Sequence, residues 1–290
     1  MASRQVALSA GPMSSSISRP PAAATEHAVT FGHSLPGALS VPLRPLGGEP
    51  AVEVWQAGEG VVFGSIVAAE TKPLEELSRD VYVRLISDVR AAGHPYFVRM
   101  WNYVGGINEY ERDRERYQLF CAGRHDAFVD AGYHHDVDLP AASAVGMQGR
   151  GLIVYFLAAR EAGVQVENPR QVAAYNYPPQ YGPKSPSFSR ATVWRDRVYV
   201  SGTSSVVGHA TVHQGDVLAQ LDETLRNIEV VLRATGRTLE NVISAKTYVR
   251  NAGDYGRIAG RLQDVLPGNL FLEADICRKD LLLEIECVAR

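Results

Sequence analysis

Two glutamates near the end of the chain are the residues whose types and spacing most directly suggest chemistry. The segment DLLLEIECVAR (280–290) is predicted to be a β-strand, in which Glu284 and Glu286 share one face and the intervening apolar residues fall on the other. Carboxylates in this relation lie roughly 7 Å apart. On a buried face, desolvation and mutual repulsion raise the pKa of at least one of them, as a general acid near neutral pH requires. The alternative is a strand end with one hydrated glutamate and one paired to an arginine.

A cysteine precedes the first of these glutamates. Cys277 lies in the segment 271–278, which is predicted to form a hairpin with the last strand and to bring the thiol within side-chain reach of Glu284. Taken alone, a cysteine in a strand is more often a small core residue. No histidine nearby forms a pattern typical of a nucleophilic Cys-His pair.

A second group of candidates lies on the strand YFVRMWNYV (96–104). Arg99, Trp101 and Tyr103 share one of its faces, and an arginine beside aromatic rings suits a flat anionic ligand. The alternative is a surface arginine stacked on a tryptophan. The segment YERDRERY (110–117) is interpreted as a hydrated helix face with ion pairs.

Metal and nucleotide motifs are weak. The Gly/Ser/Thr-rich loop 201–216 leads into a helix but lacks the phosphate-loop pattern, and the chain shows no dinucleotide-binding glycine fingerprint. His209 and His213 are four residues apart without an evident acidic third ligand, so we expect no metal site.

The elements that must position these residues repeat in order. Each half of the chain predicts β-β-α-β-α-β-β, with the last two strands as a hairpin. The first set covers 51–55, 61–68, 71–93, 96–104, 109–129, 143–148 and 152–159. The second covers 187–194, 197–202, 216–236, 241–250, 253–266, 271–278 and 281–289. We therefore predict an α+β protein of two similar halves, each with a mixed sheet backed by helices.

The predicted organisation is a flexible N-terminal tail (1–48), an N-terminal half (49–165), a Pro/Tyr-rich linker (166–186) and a catalytic C-terminal half (187–290). Overlaying the last strands of the two halves puts Tyr155 where Glu284 stands.

Composition excludes several partners. With 290 residues, 46% of them apolar, the chain can bury a full core, and its net charge of −3 argues against a nucleic-acid or anionic-membrane surface. Three cysteines without a metal spacing fit a reducing, cytoplasmic setting. No apolar run approaches the roughly 20 residues of a membrane span.

Several stretches resemble a known family. DLLLEIECVAR is similar to the closing strand of the YjgF/RidA superfamily, as are RVYVSGTSSVVGH, the helix from Asp216 and NVISAKTYVRN. FVRMWNYVGGINEYERDRERYQLFCAGRHDAF and SPSFSRATVWRDRVYVSGTSSVVGHATVHQGD resemble the chorismatases in particular. The resemblance covers about residues 50–290.

The resemblance implies two YjgF/RidA-like (chorismate mutase-like) halves, chorismate as the substrate, and no metal or organic cofactor. By its place in the EIE segment, Glu284 matches the family's functional glutamate, and Glu286 is expected to support it. The candidates for binding the two substrate carboxylates are Arg99, Tyr103, Tyr155 and Arg190. Short YjgF proteins are trimers with sites between subunits, so we expect this doubled chain to be a monomer or a homotrimer.

The resemblance also bears on the product. Chorismatases of the 3-hydroxybenzoate type carry a cysteine seven residues before the catalytic glutamate, which matches Cys277, whereas the hydrolytic type has alanine there. Ala191 departs from the pattern, because the 3-hydroxybenzoate type favours glycine nearby. We expect release of pyruvate and 3-hydroxybenzoate, with 4-hydroxybenzoate as a further product left open. The alternative is hydrolysis to a dihydroxycyclohexadiene carboxylate.

Three other classes stay open. An imine or enamine hydrolase like the small YjgF members would carry an arginine where this chain has Asn269. A non-catalytic protein could bind an aromatic or shikimate-derived acid. An assembly module would place Glu284 and Glu286 in an oligomer contact.

Overall fold

The computed structural model describes residues 30–31, 52–266 and 268–290. The N-terminal half contains β2 (Val52–Gly58), β3 (Val61–Ala68), α1 (Leu74–Ala91), β4 (Tyr96–Gly105), β5 (Tyr110–Glu111), β6 (Arg114–Glu115), α2 (Arg116–Asp130), β7 (Ala141–Met147) and β8 (Leu152–Ala159), after a short β1 (Thr30–Phe31). It is followed by β9 (Val164–Val166), β10 (Ala191–Trp194), β11 (Arg197–Thr203), β12 (Val206–Val207), β13 (Ala210–Thr211), α3 (Val217–Arg233), β14 (Val242–Val249), α4 (Tyr255–Leu262), β15 (Leu270–Glu273) and β16 (Leu283–Ala289).

The two halves have the same sheet topology. The first sheet has the order β2-β3-β8-β4-β7, and the second contains β10-β11-β16-β14-β15, extended by β9 at one edge and β1 at the other. In both, the third and fourth strands of the repeat are parallel and the remaining neighbours are antiparallel. The prediction of two similar α+β halves with mixed sheets is confirmed.

The predicted hairpins at the end of each half are wrong. β7 pairs with β4 and not with β8, and β15 pairs with β14 and not with β16. In each half, a helix connects two parallel strands: α2 connects β4 to β7, and α4 connects β14 to β15. The second strand of each pair lies on the outer side of the first. The final strand must then pass across that pair to reach the inner side of the sheet. Neighbours in sequence are therefore separated by a strand in space.

The interpretation of 110–117 as a hydrated helix face is also wrong. Residues 110–115 form the small hairpin β5–β6, and α2 begins only at Arg116. The Arg116 side chain is 1% exposed and forms ion pairs with Glu70 at 2.5 Å and Glu111 at 2.6 Å. A buried guanidinium needs such partners, and this one fixes the hairpin against the body of the N-terminal half.

Helices cover the outer faces of the two sheets, and the inner faces meet. On β16, Leu283, Ile285 and Cys287 pack into the core beneath α3 and α4. Glu284 and Glu286 point the other way, toward the N-terminal half, and both are 4% exposed. The predicted same-face placement is confirmed, because a strand buried on both sides still alternates its side chains between two different environments.

The predicted tail, 1–48, lies outside the described residues except for Thr30–Phe31, which pairs with β15. Within the predicted linker, the 3₁₀ turn Ala174–Asn176 places Tyr175 against the core of the N-terminal half. The turn Pro179–Tyr181 places Tyr181 against His209 and Arg278 of the second half. In the described part of the chain, every helix is too short or too polar to cross a bilayer.

Candidate active site

Glu286 is the centre of a polar cluster that joins the two halves. Its carboxylate accepts hydrogen bonds from Ser143 Oγ at 2.6 Å and Trp101 Nε1 at 2.6 Å, both in the N-terminal half. It forms ion pairs with Arg99 at 2.8 Å and Lys246 at 2.6 Å. The Tyr248 hydroxyl donates a longer bond of 3.4 Å.

This environment keeps Glu286 ionised. Burial by itself would raise the pKa of the carboxyl, but the charges of Lys246 and Arg99 and the hydrogen bonds outweigh it and lower the pKa to about 2. The same pairing keeps Lys246 protonated, because the Glu286 charge raises the lysine pKa despite burial. Glu286 is therefore a fixed negative charge at neutral pH.

Glu284, two residues earlier on the same face, is in the opposite state. Burial, followed by the negative charge of Glu286, raises its pKa to about 8. Its Oε1 is buried and has no hydrogen-bond partner. One carboxyl of the pair takes the available cations, and the other is left protonated at neutral pH. The alternative interpretation was one glutamate paired to an arginine and one hydrated. Glu286 is indeed paired to an arginine, but Glu284 is buried rather than hydrated.

Gly202 on β11 makes room for the protonated acid. A Cβ added at this glycine would lie 1.9 Å from Glu284 Oε1 and 2.6 Å from its carboxyl carbon. Any larger residue would displace the acid, so the sequence SGT at the end of β11 is fitted to Glu284.

Glu284 forms part of the wall of a cavity of about 330 Å³. Its lining comes from the β5–β6 hairpin, α2, the linker, β11 and the loop before β16. The lining residues that carry charge or an aromatic ring include Tyr117, Tyr177, Tyr181, Phe188, Arg190, Arg278 and Lys279.

Two arginines make one side of this cavity cationic. Arg190 donates to the Tyr177 hydroxyl at 3.0 Å, and its guanidinium lies 5.7 Å from the centre of that ring. The guanidinium of Arg278 lies 5.2 Å from the centre of the Tyr177 ring and 4.2 Å from the centre of the Tyr181 ring. The acid nearest to Arg190 is Glu167, 4.0 Å from its Nε. Two guanidiniums held by phenol rings form a site suited to a carboxylate.

Cys277 lies between the acid and these cations. It belongs to the loop after β15 rather than to a strand paired with β16, and that loop is held to the N-terminal half by the Val145–Ile276 bridge. Burial and the neighbouring Glu284 raise the pKa of its thiol to about 12. The thiol is therefore neutral, and it can exclude water or donate a weak hydrogen bond but does not act as a thiolate nucleophile.

The structure brings together some of the sequence-predicted site residues and separates others. Glu284, Cys277 and Arg190 line one cavity. Arg99 is engaged with Glu286, and Tyr103 with the Tyr248 hydroxyl at 3.2 Å. Tyr155 packs edge-on against Tyr103 at 6.2 Å. These last three are not among the residues that line the cavity, and substrate binding by them stays a prediction.

Sequence reasoning missed Arg278 and the linker residues Tyr177 and Tyr181. Arg278 directly follows Cys277, so its position beside a candidate residue was an available signal. The tyrosines stand in a Pro-rich segment without periodicity, and only their packing against Arg278 reveals them.

In residues 59–266 and 268–290, where side chains are described, no group of three His, Cys, Asp or Glu side chains is arranged to hold a metal ion.

Comparison with protein families gives two matches. Residues 47–158 match the family described as "Chorismatase FkbO/Hyg5-like, N-terminal", and residues 183–290 match "Endoribonuclease L-PSP".

Individual relatives agree with these matches. The chain is 35% identical to a 3-hydroxybenzoate synthase of Streptomyces hygroscopicus over 89% of this chain and 87% of that protein. It is 39% identical to a chorismatase of Streptomyces rapamycinicus, over 81% of this chain and 76% of the other. The crystal structure of a chorismatase superposes with a TM-score of 0.78 at 32% identity, covering 84% of this chain and 80% of that one. On this evidence the chain belongs to the chorismatase family.

Proposed function

We propose that this protein cleaves chorismate to pyruvate and 3-hydroxybenzoate and that Glu284 is the proton donor. The observation that carries the proposal is a buried carboxyl with a pKa of about 8 in the wall of a cavity that also holds two arginines. Chorismate has a ring carboxylate and a second carboxylate on an enolpyruvyl ether, and it is cleaved after protonation of that ether. The site offers an acid and cations for such a molecule.

The first step is protonation of the side-chain methylene carbon. Glu284 transfers its proton to this carbon, and the ether becomes an oxocarbenium ion. The ion forms next to the ionised Glu284, and the fixed charge of Glu286 lies behind it. Negative charges that are already oriented stabilise such a cation without reorganisation.

The second step is loss of pyruvate. In the aromatising route the C4 hydroxyl oxygen attacks C3 as the C3–O bond breaks, which gives pyruvate and a 3,4-epoxide. The C4–O bond then opens, the C3 proton is lost, and the ring becomes 3-hydroxybenzoate. The protons released from the C4 hydroxyl and C3 replace those added to the methylene carbon and the epoxide oxygen. No water enters this balance, whereas the hydrolytic route consumes one water.

Cys277 supports the aromatising route because it occupies the wall beside Glu284 with a neutral, weakly polar thiol. A weakly polar wall at this point disfavours an ordered water that could attack the oxocarbenium ion. Arg190 and Arg278 are the best placed residues to hold the ring carboxylate. The phenyl walls of Tyr177 and Phe188 suit the flat ring.

The test is to incubate the purified protein with chorismate and resolve the products by chromatography. We expect pyruvate and 3-hydroxybenzoate in equal amounts, and in D₂O one deuteron in the pyruvate methyl group, because the methylene carbon takes its proton from an exchangeable acid. Glu284→Gln keeps the shape and the neutral state of the side chain but removes the proton, and it should lower turnover by about 10³-fold or more. The exposed Glu240→Gln is the matched control.

Cys277→Ala tests the product assignment. We expect chorismate still to be consumed, with a smaller share of 3-hydroxybenzoate and more of the hydrolytic diol. Cys287→Ala, which alters a buried thiol on the core side of β16, should leave the product ratio unchanged. An unchanged ratio in Cys277→Ala would remove Cys277 from the mechanism, and unchanged turnover in Glu284→Gln would remove Glu284 as the proton donor. A wild-type protein that binds chorismate without consuming it would be a binding protein rather than an enzyme.

Two further features are part of the proposal. The assembly state, a monomer or a homotrimer, stays a prediction, and sedimentation at assay concentration checks it. The cytoplasmic location expected from the cysteine usage stays a prediction.

A further inference from the structure

A second, smaller chamber lies behind Glu284. Its volume is about 40 Å³, and it shares Tyr117, Phe188, Gly202, Cys277 and Glu284 with the outer cavity. Pro186 also lines both, and the residues particular to the inner chamber include Asn102, Phe120, Cys121, Arg124 and Ser143. Glu284 therefore stands where a large outer cavity meets a small inner one. At about 10–15 Å³ for each water, the inner chamber has room for roughly three small atoms or groups, which is the size of a carboxylate.

Arg124, on α2, is the unusual residue of this chamber. It is 3% exposed, and its Nε has no hydrogen-bond partner. Its guanidinium lies 5.1 Å from the ring centres of Tyr82 and Phe128, and its Nη2 contacts the Met100 sulfur at 3.7 Å. No carboxylate of the described residues forms an ion pair with it.

Other buried arginines show how different this is. Arg99 is 2% exposed and is paired with Glu286, and Arg116 is 1% exposed and is paired with Glu70 and Glu111. Burying a cation without an anion is costly, and contacts with aromatic rings recover only part of that cost. A buried guanidinium whose partners are two rings, the Tyr82 hydroxyl and a sulfur lacks the anion that its neighbours in the same half possess.

We propose that Arg124 pairs with the carboxylate of the substrate's enolpyruvyl side chain, which enters the inner chamber. This inference rests on the proposed function. The methylene carbon that Glu284 protonates and the side-chain carboxylate are attached to the same carbon, so a methylene at Glu284 leaves the carboxylate within a few ångströms of it. Arg190 and Arg278 line the outer cavity but not the inner one, and Arg124 lines the inner cavity but not the outer one. The two carboxylates of the substrate are thereby bound by different arginines on either side of the acid.

The test measures binding and not turnover. Two unreactive probes, 3-methoxybenzoate and 3-(carboxymethoxy)benzoate, differ only in the side-chain carboxylate, and calorimetry gives the ratio of their affinities. We expect the wild type to bind the diacid about 10- to 100-fold more tightly. Arg124→Met should reduce this ratio to near one, because it removes only the partner of the second carboxylate. Arg278→Met should weaken both probes by a similar factor and keep the ratio. The exposed Arg84→Met should change neither.

Folding can be separated from binding. An apolar residue replaces an unpaired buried cation in Arg124→Met, so the unliganded variant should be as stable as the wild type or more stable. If this variant does not fold, Arg124→Lys carries the test, since it retains the charge on a shorter and differently shaped group and should lower the ratio in part. A ratio in Arg124→Met equal to that of the wild type overturns the inference and leaves the proposed function standing. A wild type that binds neither aromatic acid overturns both.

Discussion

The N-terminal and C-terminal halves have the same strand order, but the first supplies hydrogen-bond donors and the second supplies carboxyl groups to the polar cluster between them. The inner face of the first sheet contributes donors and a cation from Arg99, Trp101 and Ser143. The inner face of the second sheet contributes Glu284 and Glu286. Tyr155 pairs with Trp101 as Glu284 pairs with Tyr248, so the corresponding strand pair carries a phenol in one half and an acid in the other.

The difference between the halves explains why two neighbouring glutamates have different pKa values. The N-terminal half delivers its donors to Glu286 and none to Glu284 Oε1. Once Glu286 is ionised, its charge adds to the burial of Glu284 and keeps that carboxyl protonated. Donors from the N-terminal half thus help to set the protonation state of a glutamate in the C-terminal half. Changes to either partner should therefore alter both activity and its pH dependence.

The largest effect is expected from Glu286→Gln, which removes the anion between the halves. Arg99 is then left buried without a carboxylate, and the free energy of unfolding should fall by about 3–5 kcal/mol. The pKa of Glu284 should fall as well, because a repelling charge is lost while Arg99 and Lys246 remain. Chemical denaturation and the pH profile of kcat/KM measure the two consequences.

Glu223→Gln is the matched control for that variant. Glu223 is also 4% exposed and is paired with an arginine, Arg170, at 2.5 Å, but it does not line either cavity. It should lose stability and keep the pH profile. If both variants shift the profile equally, the special relation between Glu286 and Glu284 is refuted.

Gly202→Ala should have the next largest effect. The added methyl group would lie 1.9 Å from Glu284 Oε1, so the acid must rotate away from its position. We expect kcat to fall by about 10²-fold, since a displacement of about 1 Å of a catalytic group has this cost. Gly256→Ala, where an added Cβ meets no atom within 4 Å, is the control, and steady-state kinetics of both variants decide the point. Wild-type kcat in Gly202→Ala would mean that Glu284 works from another position.

The pH dependence of the wild type should follow Glu284. An acid catalyst must be protonated, so kcat/KM should be level below the pKa of about 8 and fall about tenfold for each pH unit above it. The same raised pKa makes this group's contribution to folding stability decline as pH rises from its ordinary value, 4.5, to about 8. Glu284→Gln should remove that decline in pH-dependent denaturation. An activity limb near pH 4.5 would contradict the protonated state of Glu284.

The smallest effect is expected from Trp101→Phe. It removes one hydrogen bond to Glu286, while Arg99, Ser143 and Lys246 still hold that carboxylate ionised. We expect a loss of about 1.5–3 kcal/mol in unfolding free energy and a change of a few-fold at most in kcat/KM. Thermal denaturation and steady-state kinetics of Trp101→Phe and Glu286→Gln, measured side by side, compare the contributions of the two residues. A loss of activity as large as that of Glu286→Gln would assign Trp101 a direct role at the substrate.

Much of the fold could be predicted from the local pattern. The helix from Asp216 was predicted from its cap and its apolar spacing, and the structure confirms it, with the Asp216 carboxylate accepting from the Leu218 and Ala219 amides at 3.1 Å. Strand pairing could not be read in the same way. The predicted hairpin between 271–278 and 281–289 was wrong because the crossover helix α4 places β15 on the outer side of β14, so that β14 separates β15 from β16. Such pairing depends on residues that are far apart in the sequence.

The sequence by itself determined the alternation that turns Glu284 and Glu286 to one face of a strand, because that depends only on the period of an extended chain. It also determined the family, through long matching stretches. Only the tertiary structure decided which glutamate has the raised pKa, since burial acts on both carboxyls and Lys246, Arg99 and Ser143, which come from distant segments, stabilise the charge of Glu286. It likewise decided that Arg278 lines the outer cavity and Arg124 the inner one, with Glu284 in the wall of both. Charge interactions act through space at a few ångströms, and sequence separation gives no measure of that distance.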